Sequence, residues 1–152
     1  MNHRSLNQTV AGALGLVYLA VGLIGFAVTS GVDFFAREGD ELFGVFEINP
    51  AHNIVHLLIG AALLGAAMKG PWAARGMNLA IGGTYLLVGV LGLFLLDTDA
   101  DILALNHADN ALHLGTAAVL LGTALLAGGR TSPSPRDEMH EHSRTSMADH
   151  KH

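Results

Sequence analysis

Four long apolar segments place the tightest limit on how this chain can fold. They cover residues 10–29, 51–68, 78–96 and 110–128, and each is close to the roughly 20 residues that a helix needs to cross a hydrocarbon core. Backbone amides find no water in lipid, so a segment that spans it must be a helix or part of a closed barrel. None of the four segments shows the alternation of a strand. The sequence therefore predicts an all-α fold, a bundle of four transmembrane helices.

The composition agrees with a membrane protein that ends in a polar tail. Hydrophobic residues make up 51% of the 152 residues and charged residues only 14%. We predict a transmembrane domain over residues 1–128. Residues 129–152 are rich in serine, proline and charge, and we predict that they are disordered. This tail carries two H-x-H pairs, a weak metal-chelating pattern, at His140, His142, His150 and His152.

The first apolar segment is echoed by the third. "GLVYLAVGLIGF" (Gly15 to Phe26) matches "GGTYLLVGVLGL" (Gly82 to Leu93), with Tyr18 aligned to Tyr85. The echo argues against a cleaved signal peptide at the start of the chain, because a discarded leader has no reason to copy an internal helix. We expect both tyrosines to bond backbone carbonyls, since a phenol inside the membrane needs a partner.

The second and fourth apolar segments each begin with a polar motif. The motifs are "NPAHNIVH" at residues 49–56 and "NHADNALH" at residues 106–113. Together with the echo described above, these motifs indicate a duplicated helical hairpin. The pseudo-two-fold axis that relates the two copies lies along the membrane normal. Helix caps explain the first asparagine of each motif, and Asp109 completes a capping box in the second. The asparagines predicted to have structural polar roles are Asn49, Asn53, Asn106 and Asn110.

Capping leaves three histidines unexplained. His52 and His56 are four residues apart and share a helix face, and Asp109 and His113 form the matching pair. His56 and His113 lie about 9 Å inside the start of their helices, at 1.5 Å per residue. Ionisable side chains at such a depth usually face a bundle interior or a wet cavity. The duplication therefore predicts that both faces meet.

Three interpretations of this cluster stay open. The first, which we favour, is a plug of neutral imidazoles bonded to the asparagines, Asp109 or the loops. The second is a transition-metal site for Zn, Cu, Fe or Mn with three imidazoles and one carboxylate. Its ligands are His52, His56, Asp109 and His113. In the third, His56 and His113 are axial ligands of a b-type haem.

These interpretations imply different functions. The polar plug favours a structural or accessory membrane module without enzymatic activity, whereas the other two favour a metal- or haem-binding membrane redox protein. The expected partners are the lipid bilayer and either further copies of this chain or another membrane protein, and no nucleic acid. The loop after the first helix alternates phenylalanines with charges, so we expect it to cover one end of the bundle as an interfacial segment. Glu47 at its end is expected to be exposed.

Three stretches carry a family resemblance. They are "LFGVFEINPAHNIVHLLIG" (Leu42 to Gly60), "GGTYLLVGVLGL" and "NHADNALH" (Asn106 to His113). These stretches resemble a bacterial family of four-helix membrane proteins catalogued as domain of unknown function 4383, over about residues 10–125. The resemblance implies four spans and the paired motifs, and it implies no activity, substrate or cofactor. His107 stands where the family more often has proline, as at Pro50.

Lysine and arginine predict the orientation. Positive residues are favoured on the cytoplasmic side of a membrane. One side of the predicted bundle is flanked by Arg4, Lys69, Arg75, Arg130, Arg136, Arg144 and Lys151. The opposite loops hold only Arg37 and nine acidic residues, which attract cations. We therefore expect a multi-pass protein of the bacterial cytoplasmic membrane, with both termini in the cytoplasm and the histidines near the outer face.

Overall fold

Four helices and one short sheet form the structure. The computed structural model describes residues 4–96, 98 and 100–127. Along the chain the elements are α1 (Leu6–Val28), β1 (Asp40–Leu42), β2 (Phe46–Ile48), α2 (Pro50–Lys69), α3 (Pro71–Leu95) and α4 (His107–Leu126). The prediction of a four-helix, all-α fold is confirmed. The predicted disordered tail and its four histidines lie outside the described residues.

All four helices are long and apolar enough to cross a membrane. Their mean hydropathies run from 1.2 for α4 to 2.2 for α1. Large apolar side chains cover the outside of the bundle, including Leu23, Leu58, Leu87, Phe94 and Leu126. A water-soluble monomer rarely exposes so large an apolar surface, whereas acyl chains cover it at no cost. These features are those of a multi-pass membrane protein.

The helices begin where local chemistry allows. The Ser5 hydroxyl accepts a hydrogen bond from the Gln8 amide, and the Gln8 side chain bonds back to Ser5, which makes a capping box for α1. Gly70 joins α2 to α3 at φ +134°, a conformation that a side chain disfavours. Pro71 then starts α3 directly, seven positions before the predicted residue 78, because proline suits the first position of a helix.

Glycines let the helices of each hairpin approach closely. A Cβ atom added at Gly15 in α1 would lie 2.8 Å from the Leu64 nitrogen and 2.9 Å from the Gly60 oxygen, both in the backbone of α2. Gly82 plays a similar part in α3, facing Leu120 and Leu121 of α4. The most extensive helix contacts are accordingly α1 with α2 and α3 with α4.

The centre of the bundle joins the two hairpins. Tyr18, Leu63, Tyr85 and Leu120, one from each helix, are buried there among alanines. At the end where α1 begins, the Asn78 side-chain amide donates to the Asn7 side-chain oxygen at 3.1 Å. The opposite end, where α2 and α4 begin, carries the predicted histidine motifs, and we call it the histidine end.

A β-hairpin covers the histidine end. The sequence predicted an interfacial segment between α1 and α2, and the structure gives it an antiparallel pair in which Asp40 faces Ile48. Phe43 and Gly44 at its tip have φ of 59° and 67°, as in the tight turns that suit hairpin twist. Leu42 and Ile48 are buried beneath the hairpin. The alternation of apolar and charged residues in this segment is therefore that of a strand pair.

Replacing Gly15 by alanine will separate α1 from α2. The added methyl group overlaps the α2 backbone, so we expect Gly15→Ala to lower stability by about 1 to 3 kcal/mol, the usual cost of overpacking. Thermal unfolding of the purified protein in detergent, followed by circular dichroism, measures the effect. Gly65→Ala is the matched control, since a Cβ atom there meets nothing within 4 Å. Equal midpoints of thermal unfolding for the two variants would show that α1 and α2 do not approach closely at Gly15.

Candidate functional site

Asn49 ties the start of α2 to two loops. Its side-chain oxygen accepts a hydrogen bond from the His52 backbone amide at 2.9 Å, which caps the helix. Its side-chain amide donates to the Ala36 carbonyl at 2.8 Å and to the Ile102 carbonyl at 2.9 Å. Every polar atom of this fully buried side chain is therefore used in holding backbone together.

Asn106 and Asp109 do the same at the start of α4. They form a capping box, with the Asn106 side-chain oxygen accepting from the Asp109 amide at 2.9 Å. The Asp109 Oδ2 atom accepts from the backbone amides of Asn106 and Glu47, both at 3.1 Å. The Asn106 side chain also donates to the Val45 carbonyl. These bonds hold the β-hairpin on α4, and they define the helix start without the proline found at Pro50.

Asn53 and Asn110 lie one turn deeper, each against a glycine. Asn53 donates to the Thr29 hydroxyl at 3.0 Å, and its side-chain oxygen lies against Gly25 of α1. The side-chain oxygen of Asn110 lies in the same way against Gly92 of α3. Both oxygens are buried without a hydrogen-bond partner. The two hairpins thus use matching contacts at the depth where the polar motifs enter the bundle.

His52, His56 and His113 come together beneath these caps. Each offers one ring nitrogen, and these three atoms lie within 4.8 Å of one another. The His52 ring is 4.3 Å from the His56 ring and 6.1 Å from the His113 ring, between centroids. All three side chains are at least 95% buried. The imidazoles of α2 and α4, two helices that are distant in sequence, therefore lie side by side.

One ring nitrogen of each histidine lacks the hydrogen bond that a polar plug requires. The Nδ1 atoms of His52, His56 and His113 are all buried without a partner. The side-chain amides of Asn49, Asn53 and Asn106 bond elsewhere, as described above. The His52 ring lies near the backbone carbonyls of Leu103 and Glu47, which can accept a hydrogen bond from one ring nitrogen. A buried nitrogen without a partner costs about 1 to 3 kcal/mol, so three together call for an explanation.

Asp109, the carboxylate predicted as a ligand, and the nearby Glu47 lie outside this group. Asp109 is buried, but its Oδ2 atom is held by two backbone amides, and it does not belong to the set of mutually close ligand atoms among the described residues. Glu47 is half-buried, and its side chain accepts a hydrogen bond from the Gly39 amide at 2.8 Å. The tight cluster among the described residues thus consists of the histidines alone.

Tyr18 and Tyr85 complete the surroundings of the cluster. The Tyr85 ring stacks on His113 at 4.9 Å, the Tyr18 ring lies 5.2 Å from His56, and the two phenol rings are 5.5 Å apart. Neither tyrosine bonds the expected backbone carbonyl, because the Tyr18 hydroxyl bonds the Thr116 hydroxyl at 3.0 Å and the Tyr85 hydroxyl is buried without a partner. The sequence did not predict this contact between the tyrosines and the histidines, although Tyr18 and Tyr85 occupy matching positions in the two copies of the helical hairpin.

A small cavity adjoins the histidines. Its volume is about 50 Å³, and all three imidazoles line it. Drug-sized ligands occupy pockets of about 300 to 1,000 Å³. The cavity therefore has room for an ion and a small molecule, and a porphyrin does not fit between His56 and His113.

One family model covers most of the chain. A family described as a domain of unknown function (DUF4383) matches residues 8–126. The chain belongs to this family. The resemblance carried by the two Asn/His motifs is thus confirmed. No curated protein and no solved structure matches the chain. Membership in DUF4383 supplies no activity, so function has to be argued from the site.

Removing the Asp109 carboxylate will weaken the contact between the β-hairpin and α4. Asp109→Ala leaves two backbone amides without an acceptor, and we expect stability to fall by about 1 to 3 kcal/mol. Hydrogen exchange measured by mass spectrometry should rise in the peptide that contains residues 46–48. Asp33→Ala, at an exposed carboxylate, is the control and should exchange like the wild type. Unchanged exchange in Asp109→Ala would show that the bond to Glu47 does not hold the hairpin.

Proposed function

We propose that this protein binds a transition-metal ion through His52, His56 and His113 inside the membrane. The observation that carries the proposal is the convergence of three buried imidazoles, with their nitrogens within 4.8 Å and their Nδ1 atoms without partners. A cation shared by the three close nitrogens would bind all three rings at once. Neutral imidazole is the commonest metal ligand in proteins.

The spacing suits one ion after a small adjustment. On a tetrahedral ion, metal–nitrogen distances of about 2.0 to 2.1 Å place the nitrogens about 3.3 to 3.4 Å apart. Side-chain rotations that bring the nitrogens closer by up to about 1.4 Å would reach this spacing from 4.8 Å. Imidazole ligands suit zinc, copper and iron. Copper or iron would give the protein a redox function, and zinc would act as a Lewis acid at its open position.

The alternatives from the sequence are less well supported. A haem does not fit in the cavity beside the histidines, whose volume is about 50 Å³. The plug interpretation leaves three ring nitrogens unpaired. Asp109 is not needed as a ligand, because its carboxylate already caps α4 and binds the hairpin. The proposed site therefore has three protein ligands and at least one open coordination position, the pattern of reactive metal sites.

The metal prediction is tested on the full-length chain with the four tail histidines replaced by serine. This change removes the H-x-H pairs as competing chelators. We expect the protein, purified from metal-supplemented cells with an affinity tag free of histidine, to carry about one zinc, copper or iron ion per chain, because the three imidazoles form a single site. Mass spectrometry of the metal content measures this. His56→Ala and His113→Ala should each lose the ion.

His107→Ala is the matched control for the metal experiment. His107 is an exposed histidine on the first turn of α4, so its loss should leave the metal content unchanged. Equal metal content in His56→Ala and His107→Ala would contradict the site. A metal-free wild type, even after incubation with Zn²⁺ or Cu⁺, would return the protein to the structural or accessory module favoured by the sequence.

We also propose that the histidine end faces the outside of the bacterial cytoplasmic membrane. The support is the distribution of lysine and arginine along the chain. Because the chain lacks cysteine, single cysteines report orientation cleanly. A membrane-impermeant maleimide should label Thr98→Cys in intact cells and should label Lys69→Cys only after lysis. Labelling in the reverse order would place both termini outside.

A further inference from the structure

The cavity beside the histidines lies between α2 and α3. Val55 and Ile59 of α2 and Thr84 and Val88 of α3 form its walls, and Leu103 lines it as well. One water molecule takes up about 30 Å³ of liquid, so a cavity of about 50 Å³ holds a molecule of two or three heavy atoms. The space next to the three imidazoles therefore limits any bound molecule to this size.

The walls of the cavity lead to the lipid-facing surface. Thr84 is exposed, and Val55, Ile59 and Val88 are half-buried, so the cavity approaches the outside of the bundle between these two helices. Thr84 lies near the middle of α3, at hydrocarbon depth. Its hydroxyl donates to the Ala80 carbonyl of its own helix at 3.0 Å. The mouth of the cavity is thus lined mainly by methyl groups.

A separate polar cleft opens at the histidine end. It measures about 600 Å³, and its charged lining residues are Arg37, Glu38, Glu47 and Asp101. Among the residues that the structure describes, none lines both this cleft and the small cavity. A charged molecule from water would meet the polar cleft first and would lose its hydration in the small cavity, at a high cost.

We propose that the metal held by the three histidines binds a small uncharged molecule of diatomic size, which reaches it from the bilayer through the gap between α2 and α3. This inference rests on the proposed metal site. Three imidazoles leave a position open on a tetrahedral ion. Size restricts the molecule, and the apolar walls select against ions. Carbon monoxide, nitric oxide and dioxygen share these properties and dissolve readily in acyl chains.

Carbon monoxide binding to the copper-loaded protein tests the inference. The full-length chain with serine in place of the tail histidines is reconstituted in lipid nanodiscs and loaded anaerobically with Cu⁺. Carbon monoxide coordinates Cu⁺ without electron transfer, and its stretching band reports binding in the infrared. We expect a band in the wild type, none in His56→Ala, and no displacement of carbon monoxide by the anion thiocyanate.

Closing the gap should slow the binding. Val88→Phe fills the cavity from the α3 side. We expect carbon monoxide to rebind up to about tenfold more slowly after photolysis, with the copper content unchanged. Leu87→Phe is the matched control, because Leu87 is exposed on the same helix and does not line the cavity. Ile59→Phe closes the gap from the α2 side if Val88→Phe does not fold.

The outcomes separate the two proposals. If the wild type holds no more Cu⁺ than His56→Ala, the metal site is wrong and this inference falls with it. If Cu⁺ is bound but no carbon monoxide band appears, the metal site stands and the inference is overturned. The same holds if both gap-closing variants rebind carbon monoxide at the wild-type rate, or if thiocyanate displaces it, because the ligand would then come from the water side.

Discussion

Every polar group that this chain brings into hydrocarbon must find its partner within the protein, because lipid supplies none. That constraint turns the four apolar segments into helices. It also explains the use of glycine where α1 meets α2, since close backbone contact replaces the hydrophobic driving force that is absent between helices in lipid. At the other end of the bundle, the buried side-chain amide of Asn78 likewise finds its acceptor within the protein, on Asn7.

The histidine end shows the constraint satisfied in one layer and unsatisfied in the next. In the upper layer, Asn49, Asn106 and Asp109 bind backbone groups of the loops and of the β-hairpin. In the layer below, three imidazoles meet with their Nδ1 atoms unpaired. The side-chain oxygens of Asn53 and Asn110 also lack partners, but each lies against a glycine, whereas the three imidazoles lie side by side. This grouping of unpaired nitrogens is what favours a ligand.

The surroundings of the imidazoles also suit a ligand. Tyr85 stacks on His113, and Tyr18 contacts His56, so aromatic rings from α1 and α3 fix the positions of the histidines on α4 and α2. Side chains held by packing give a metal site its geometry. The backbones of Leu103 and of Glu47 in the β-hairpin lie beside the His52 ring. The gap between α2 and α3 is therefore the apolar approach to the imidazoles.

The sequence by itself determined the four spans, the helix starts at Asn49 and Asn106, and the capping box with Asp109, because these depend on hydropathy and on contacts within four residues. It also identified His52, His56 and His113 as a set, through spacing and the internal echo. Only the tertiary structure decided that Asp109 also binds the Glu47 amide of the β-hairpin, that Tyr18 bonds Thr116, and that residues 40–48 form two strands. These features depend on which distant backbone groups lie nearby, and local sequence does not specify that. The small cavity is likewise a property of how α2 and α3 pack, since neither helix alone encloses space.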